Sequence, residues 1–309
     1  MRWKRGNRLR LVSEGEAPAA TRAIFDEVRH SLGLPVVPTL YQAYAAFPDF
    51  LALHWRTFRP AVQSQQFFLL GARLAAESYT RAHNYFEIAS LTACDSHTQV
   101  SPKLPVAQVL DYYQYLDPLL LLISSAQMQA LEGPVGRDGT PEAASHPVFP
   151  VAPCLLTDEH VTPAVHRTWN ERRRILEVAF LSDEHRSLAC WPDLYHAYWL
   201  SLKGLLQSPL YKDCQYRIGE SAWTMAHELP IRVETSVAQL MEAGMDSDDV
   251  SSLTRINEAF MQAMTALVLD ITFARIGCDG GTCGHSAPVQ QEPATPRRKR
   301  RAHSRTRAA

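Results

Sequence analysis

An all-α fold built from one helical unit used twice is what this chain predicts, on three observations. The two halves answer one another at an offset of 144 positions: Phe47-Pro48-Asp49 matches Trp191-Pro192-Asp193, Ala45 matches Ala189, Trp55 matches Trp199, and Thr80-Arg81-Ala82-His83 matches Thr224-Met225-Ala226-His227. Apolar residues in the first half follow a helical period, without strand-like alternation. At 309 residues and 46% hydrophobic, the chain can bury a substantial core. A duplicated unit buries its apolar face against its twin, so two pseudo-symmetric repeats should pack as an intramolecular pseudo-dimer with a cleft between them.

The elements follow in order. Residues 1–17 form a basic extension. Repeat 1, residues 18–133, opens at Pro18, with Ile24, Val28 and Leu32 every four residues and Gly33 as the stop. Pro35 and Pro38 lead into a helix over 39–46, Pro48 starts another to about 59, and a long helix covers about 64–91. Asp117-Pro118 reads as a further helix start, since an Asp side chain can accept from free N–H groups where proline needs none. That helix runs to Leu131 and stops at Gly133-Pro134. A Gly-, Pro- and Ser-rich connector occupies 134–163 and exceeds ordinary loop length. Repeat 2, residues 164–285, reads as helices over about 164–179, a short one through Cys190, then 192–206, 212–228 and 250–276. Residues 286–309 are a proline-containing basic tail expected to lack order.

Charge is unevenly spread. Seven basic groups lie in 297–307 and five in 1–10, leaving 19 basic against 32 acidic groups, about −13, between residues 11 and 296. The cluster Arg297-Arg298-Lys299-Arg300-Arg301 could touch polyanions, but an acidic body argues against nucleic acid as the main ligand. Six irregularly spaced cysteines and no signal-like N-terminus set a cytoplasmic expectation. The most apolar run, 119–124, is far shorter than the ~20 residues of a membrane span, so no membrane is expected. Cys278, Cys283 and His285 offer three candidate zinc ligands, too few beside a tail to predict a metal. His83 and His227 occupy matching positions and are expected to be buried packing residues.

The aromatic-Pro steps with Trp55 and Trp199, the stretch Leu116 to Ile123 followed by Gly133-Pro134-Val135-Gly136, the turn from Ser182-Asp183 through Leu188-Ala189-Cys190-Trp191-Pro192, and Asp270-Ile271-Thr272 together resemble the group I 2-haloacid dehalogenases, which act on both D and L substrates. The likeness spans about residues 20–280. It implies a cofactor-independent hydrolase in which a carboxylate-activated water displaces halide directly from C2 of a small 2-haloalkanoic acid, with inversion. The family aspartate falls in the turn before Trp191-Pro192. Asp183 keeps the Ser-Asp pair and Glu184 keeps the distance to Trp191, with Asp183 slightly favoured. Asp117 stands where the family pattern has an asparagine that helps hold the water, and could share the site with Asp183 or Glu184. Ser182, Val36, Tyr113 and Met264 are the expected substrate contacts, although Val36 is aliphatic where the family has a tryptophan.

Each acid also has a purely local explanation. Ser182-Asp183-Glu184 suits a helix N-terminus, where negative side chains complement the dipole, and Asp117-Pro118 is a capping pair. The expected partners are a small carboxylic-acid substrate and a second copy of the chain in a homodimer. Two alternatives stand beside the hydrolase. One is a non-catalytic or repurposed helical binding protein. The other is an alkylhydroperoxidase-like protein, suggested by Val37-Pro38-Thr39-Leu40-Tyr41 with Phe47-Pro48, yet lacking the Cys-x-x-Cys pair that chemistry needs.

Overall fold

The computed structural model describes residues 10–92, 104–176 and 181–281. Among them the chain folds into helices without a strand, as predicted. In order these are α1 (Ala19–Leu32), α2 (Thr39–Tyr44), α3 (Pro48–Val62), α4 (Gln65–Tyr85), α5 (Val106–Glu132), α6 (Pro163–Leu176), α7 (Asp183–Leu188), α8 (Pro192–Leu205), α9 (Pro209–Ala226), α10 (Val237–Glu242) and α11 (Ser247–Cys278). The two longest, α5 and α11, pack on each other at the centre, with α4 and α9 against both. Around this hub α1 and α2 pack on α3, α6 and α7 pack on α8, and α7 also touches α5.

Local geometry recurs at the 144-residue offset. Pro48 and Pro192 both sit in the first turn of a helix, each preceded by an aromatic residue with ψ of 82°. Ser64 and Ser208 both cap a helix, accepting from the N–H of Phe67 and Tyr211. The Trp55 indole donates to Glu27 at 2.7 Å and the Trp199 indole to Glu171 at 2.7 Å, and Arg59 and Lys203 close the same pairs. The stretch between the halves bonds to both. Ala144 N–H donates to Gln63, Phe149 N–H to Gly33 and Arg137 N–H to Leu229, while Val135 and Val233 exchange two bonds. Gly33 ends α1 at φ 65° with no room for a side chain, since a Cβ there would lie 2.2 Å from the Pro147 carbonyl.

Four expectations change. Asp117-Pro118 does not open a helix: α5 begins eleven residues earlier and carries Pro118 in its interior. The apolar series Val109, Leu110, Tyr112, Tyr113 and Leu116 is buried along it, and that packing outweighs the hydrogen bond lost at proline. The fourth helix stops at Tyr85 rather than near residue 91, and Phe86 is extended. The short helix α10, fixed by a reciprocal Ser236–Gln239 capping box, was not anticipated. His83 and His227 are exposed, and the buried histidines are His54 and His185.

Helix α11 is long and apolar enough by length and composition to cross a membrane, with mean hydropathy 1.4 over its most apolar window, but 72% of that window is buried inside the protein. The basic tail, the first nine residues, Cys283 and His285 lie outside the described residues.

Candidate functional site

The start of α7, the middle of α5, the start of α2 and one face of α11 converge on a small cavity. Pro38, Thr39, Leu40, Tyr113, Leu116, Asp117, Leu120, Leu181, Ser182, Asp183, Glu184, Phe260 and Met264 line it. Its free space is about 30 Å³, above the ~10–15 Å³ that a water molecule needs. Six of the seven residues singled out from sequence are therefore neighbours: Asp117, Asp183, Glu184, Ser182, Tyr113 and Met264. Val36 is not among the lining residues; the chain reaches the cavity just beyond it, at Pro38, Thr39 and Leu40. Thr39, Leu116, Leu120 and Phe260 escaped the sequence reading.

The acids differ in their surroundings. Asp183 is partly exposed, and its partners are donors: Thr39 Oγ1 gives a 2.6 Å hydrogen bond to Oδ2, and Arg186 lies 3.4 Å from Oδ1. Burial pushes the Asp183 carboxyl above its ordinary range, and Thr39 and Arg186 pull it back toward the ionised form. Asp117 is completely buried, and neither carboxyl oxygen accepts from an N–H or hydroxyl among the described residues. Its carboxyl lies within hydrogen-bonding reach of the Glu184 carboxyl. Burial first, and then Glu184, push Asp117 well above the usual carboxylate range. Glu184 is also raised by burial, but accepting from Asp117 lowers it relative to its partner.

Around the acids the hydroxyl groups are unequally committed. The Tyr113 hydroxyl shares a 2.8 Å hydrogen bond with Ser187, and Tyr115 donates to the Leu32 carbonyl. The Ser182 hydroxyl is buried and lines the cavity beside the Glu184 carboxyl, which it helps to hold in the ionised form, although it makes no well-formed hydrogen bond. Behind α7 lies a second buried polar group. Arg172 and Asp270 approach to 3.5 Å, Tyr211 donates to Asp270 at 2.5 Å, and Tyr198 donates to the Asp270 carbonyl. Burial, only partly offset by Arg172, leaves Asp270 at about 6. No cluster of metal-ligating side chains occurs among the described residues.

Residues 35–185 match the family model described as halocarboxylic acid dehydrogenase DehI. An (R)-2-haloacid dehalogenase of Pseudomonas putida is 22% identical over 273 residues, 85% of this chain and 91% of that relative. Another from Rhizobium sp. (strain NHG3) is 19% identical, covering 72% and 88%. Among solved structures, a D-2-haloacid dehalogenase in complex with L-LA superposes with a TM-score of 0.78 at 21% identity, covering 90% of this chain and 99% of that one. A mutant D-2-haloacid dehalogenase gives 0.79 at 20% identity. In sequence the chain is thus similar to haloacid dehalogenases, and in fold it is similar to solved D-2-haloacid dehalogenases.

Proposed function

We propose that the chain is a hydrolase that cleaves the carbon–halogen bond of small 2-haloalkanoic acids, with Asp183 as the base. A water in the cavity gives its proton to Asp183 as its oxygen attacks C2 from the side opposite the halogen. The C–O bond forms, the C–X bond breaks, halide leaves with the bonding pair, and a 2-hydroxy acid of inverted configuration results. Water and side chains suffice for this sequence, so no cofactor is called for.

The observation that carries the proposal is the convergence of three carboxyls on one small cavity, with Asp183 the partly exposed one of the three, held by the Thr39 hydroxyl and by Arg186. A general base must be ionised and must keep an affinity for protons near the working pH. Asp183 meets both demands: it is raised by burial and steadied by Thr39 and Arg186. Leu116, Leu120, Phe260 and Met264 supply an apolar wall for the carbon chain, and the Ser182 hydroxyl, beside Glu184, is the group placed to meet the substrate carboxylate. The binding-protein and alkylhydroperoxidase readings have no comparable observation behind them.

Halide release from each enantiomer of 2-chloropropionate tests the activity and reads out stereochemical preference. The relatives named (R)- and D-2-haloacid dehalogenases argue for turnover of the (R) enantiomer, whereas the resemblance to the group I enzymes argues for both, and the two assays separate these readings. Asp183→Asn should lower kcat about 10²–10⁴-fold, the usual range for removing a general base. Full turnover by that variant would remove Asp183 from the role, and no release from either enantiomer by the unaltered chain would overturn the proposal.

A further inference from the structure

Asp117 and Glu184 line one cavity with their carboxyls within hydrogen-bonding reach of each other. Asp117 lies in the interior of α5, fully buried, and Glu184 is 5% exposed at the start of α7. No N–H or hydroxyl among the described residues donates to either Asp117 oxygen, and the Glu184 Oε2 has no partner. Two buried anions so placed would face each other without a counter-ion, which is costly for each. A proton between them removes the repulsion.

We propose that Asp117 and Glu184 share a single proton, carried by Asp117, so that Asp117 acts in the cavity as a neutral positioning group rather than as a second base. A protonated Asp has the shape and polarity of a primary amide: one donor and one carbonyl acceptor on a planar group. With its donor committed to Glu184, its carbonyl oxygen is left to receive a hydrogen from a water at Asp183. The pair also brings one negative charge to the cavity instead of two. That reduces the repulsion against an anionic substrate, a consequence that rests on the dehalogenase proposal; the proton itself does not. The charged and titratable groups around the pair are Asp183 and Arg186 from α7, Asp270 from α11, Arg172 from α6, and the phenols Tyr112 and Tyr113 from α5, both pushed above their ordinary range by burial.

The test is the infrared C=O stretch of a protonated carboxyl, measured on the free protein at pH 8. At that pH Asp270, at about 6, is ionised and silent. The unaltered chain should show one such band. Asp117→Asn should abolish it, while Glu184→Gln, which leaves the Asp117 hydroxyl an amide carbonyl to donate to, should keep it. Absence of the band in the unaltered chain overturns the proposal, as does a band that survives Asp117→Asn or is lost in Glu184→Gln. Asp117→Asn should also keep kcat for 2-chloropropionate within about tenfold, because the amide reproduces the neutral acid. A far larger loss in that folded variant would show that Asp117 exchanges its proton during turnover, and would overturn the positioning role. A chain without dehalogenase activity fails the function while the spectrum still decides the proton.

Discussion

Replacing Thr39 by valine should move the acid side of the activity profile upward. Thr39 Oγ1 donates to Asp183 Oδ2 across 2.6 Å, a short hydrogen bond to a charged acceptor. Such bonds contribute about 1.5–3 kcal/mol, and 1.36 kcal/mol corresponds to one pKa unit. The Asp183 side chain is 26% exposed, so solvent takes over part of the lost stabilisation and the lower end applies. The sign is fixed: the bond favours the ionised carboxylate, so its loss raises the Asp183 pKa, and the base stays protonated to higher pH. The acidic limb of kcat/KM against pH should therefore shift up by about one unit. Valine has nearly the shape of threonine, so the fold should hold. Halide release at pH 5 to 9 under subsaturating substrate measures the shift. A limb unmoved within 0.2 or so of a unit, with activity otherwise intact, would refute the claim that Asp183 is the titrating base.

Two predictions concern stability. A Cβ on Gly71 would lie 2.3 Å from Leu119 Cδ2, where α4 meets α5 beside Pro118, while one on Gly204 meets nothing within 4 Å. Gly71→Ala should therefore cost about 1–2 kcal/mol, overpacking exceeding the gain in helix propensity, and Gly204→Ala should gain about 0.5–1 kcal/mol; urea midpoints of the two variants should move in opposite directions. At the buried pair behind α7, Asp270→Leu strands Arg172 and orphans the Tyr211 hydroxyl, so it should cost about 3–5 kcal/mol, and adding Arg172→Met should recover much of that loss. A double variant no more stable than the single one would contradict this account.

Much of the architecture was legible because it is written locally. Pro48 and Pro192 start helices where proline needs no N–H, Gly33 ends one in a left-handed conformation, and Ser64 and Ser208 cap helices with their own hydroxyls. Asp117 was misread for the same reason. Asp-Pro has good capping chemistry, but Val109, Leu110, Tyr112 and Tyr113 needed a buried helical face upstream, and long-range packing overrode the local rule. The error mattered for function. A capping aspartate needs no further explanation, whereas one in the middle of a core helix without a donor does. Thr39 was missed because its partner lies far along the chain, yet a signal existed: Thr39 and Asp183 are 144 positions apart, the offset at which the two halves match in sequence. Val36 was placed in the site two residues too early, since side-chain direction out of the Pro35–Pro38 segment depends on a bend that composition does not reveal.

The contact between Thr39 and Asp183 explains why residues 39 and 40 carry no acid. Thr39 touches Asp183, and Leu40 and Glu184 line the same cavity. An aspartate at 39 would set two carboxylates hydrogen-bond distance apart with only Arg186 beside them, and a glutamate at 40 would add one more carboxyl to a cavity of about 30 Å³. Burying that much uncompensated charge costs several kcal/mol per group. Instead the first half contributes a hydroxyl at 39 and an apolar side chain at 40, and the second contributes the acids. A hydroxyl at 39 and an apolar side chain at 40 are thus a requirement of electrostatics before they are one of catalysis. It follows that Thr39→Asp, which sets a second carboxyl against Asp183, should damage stability and activity together, by more than Thr39→Val changes either.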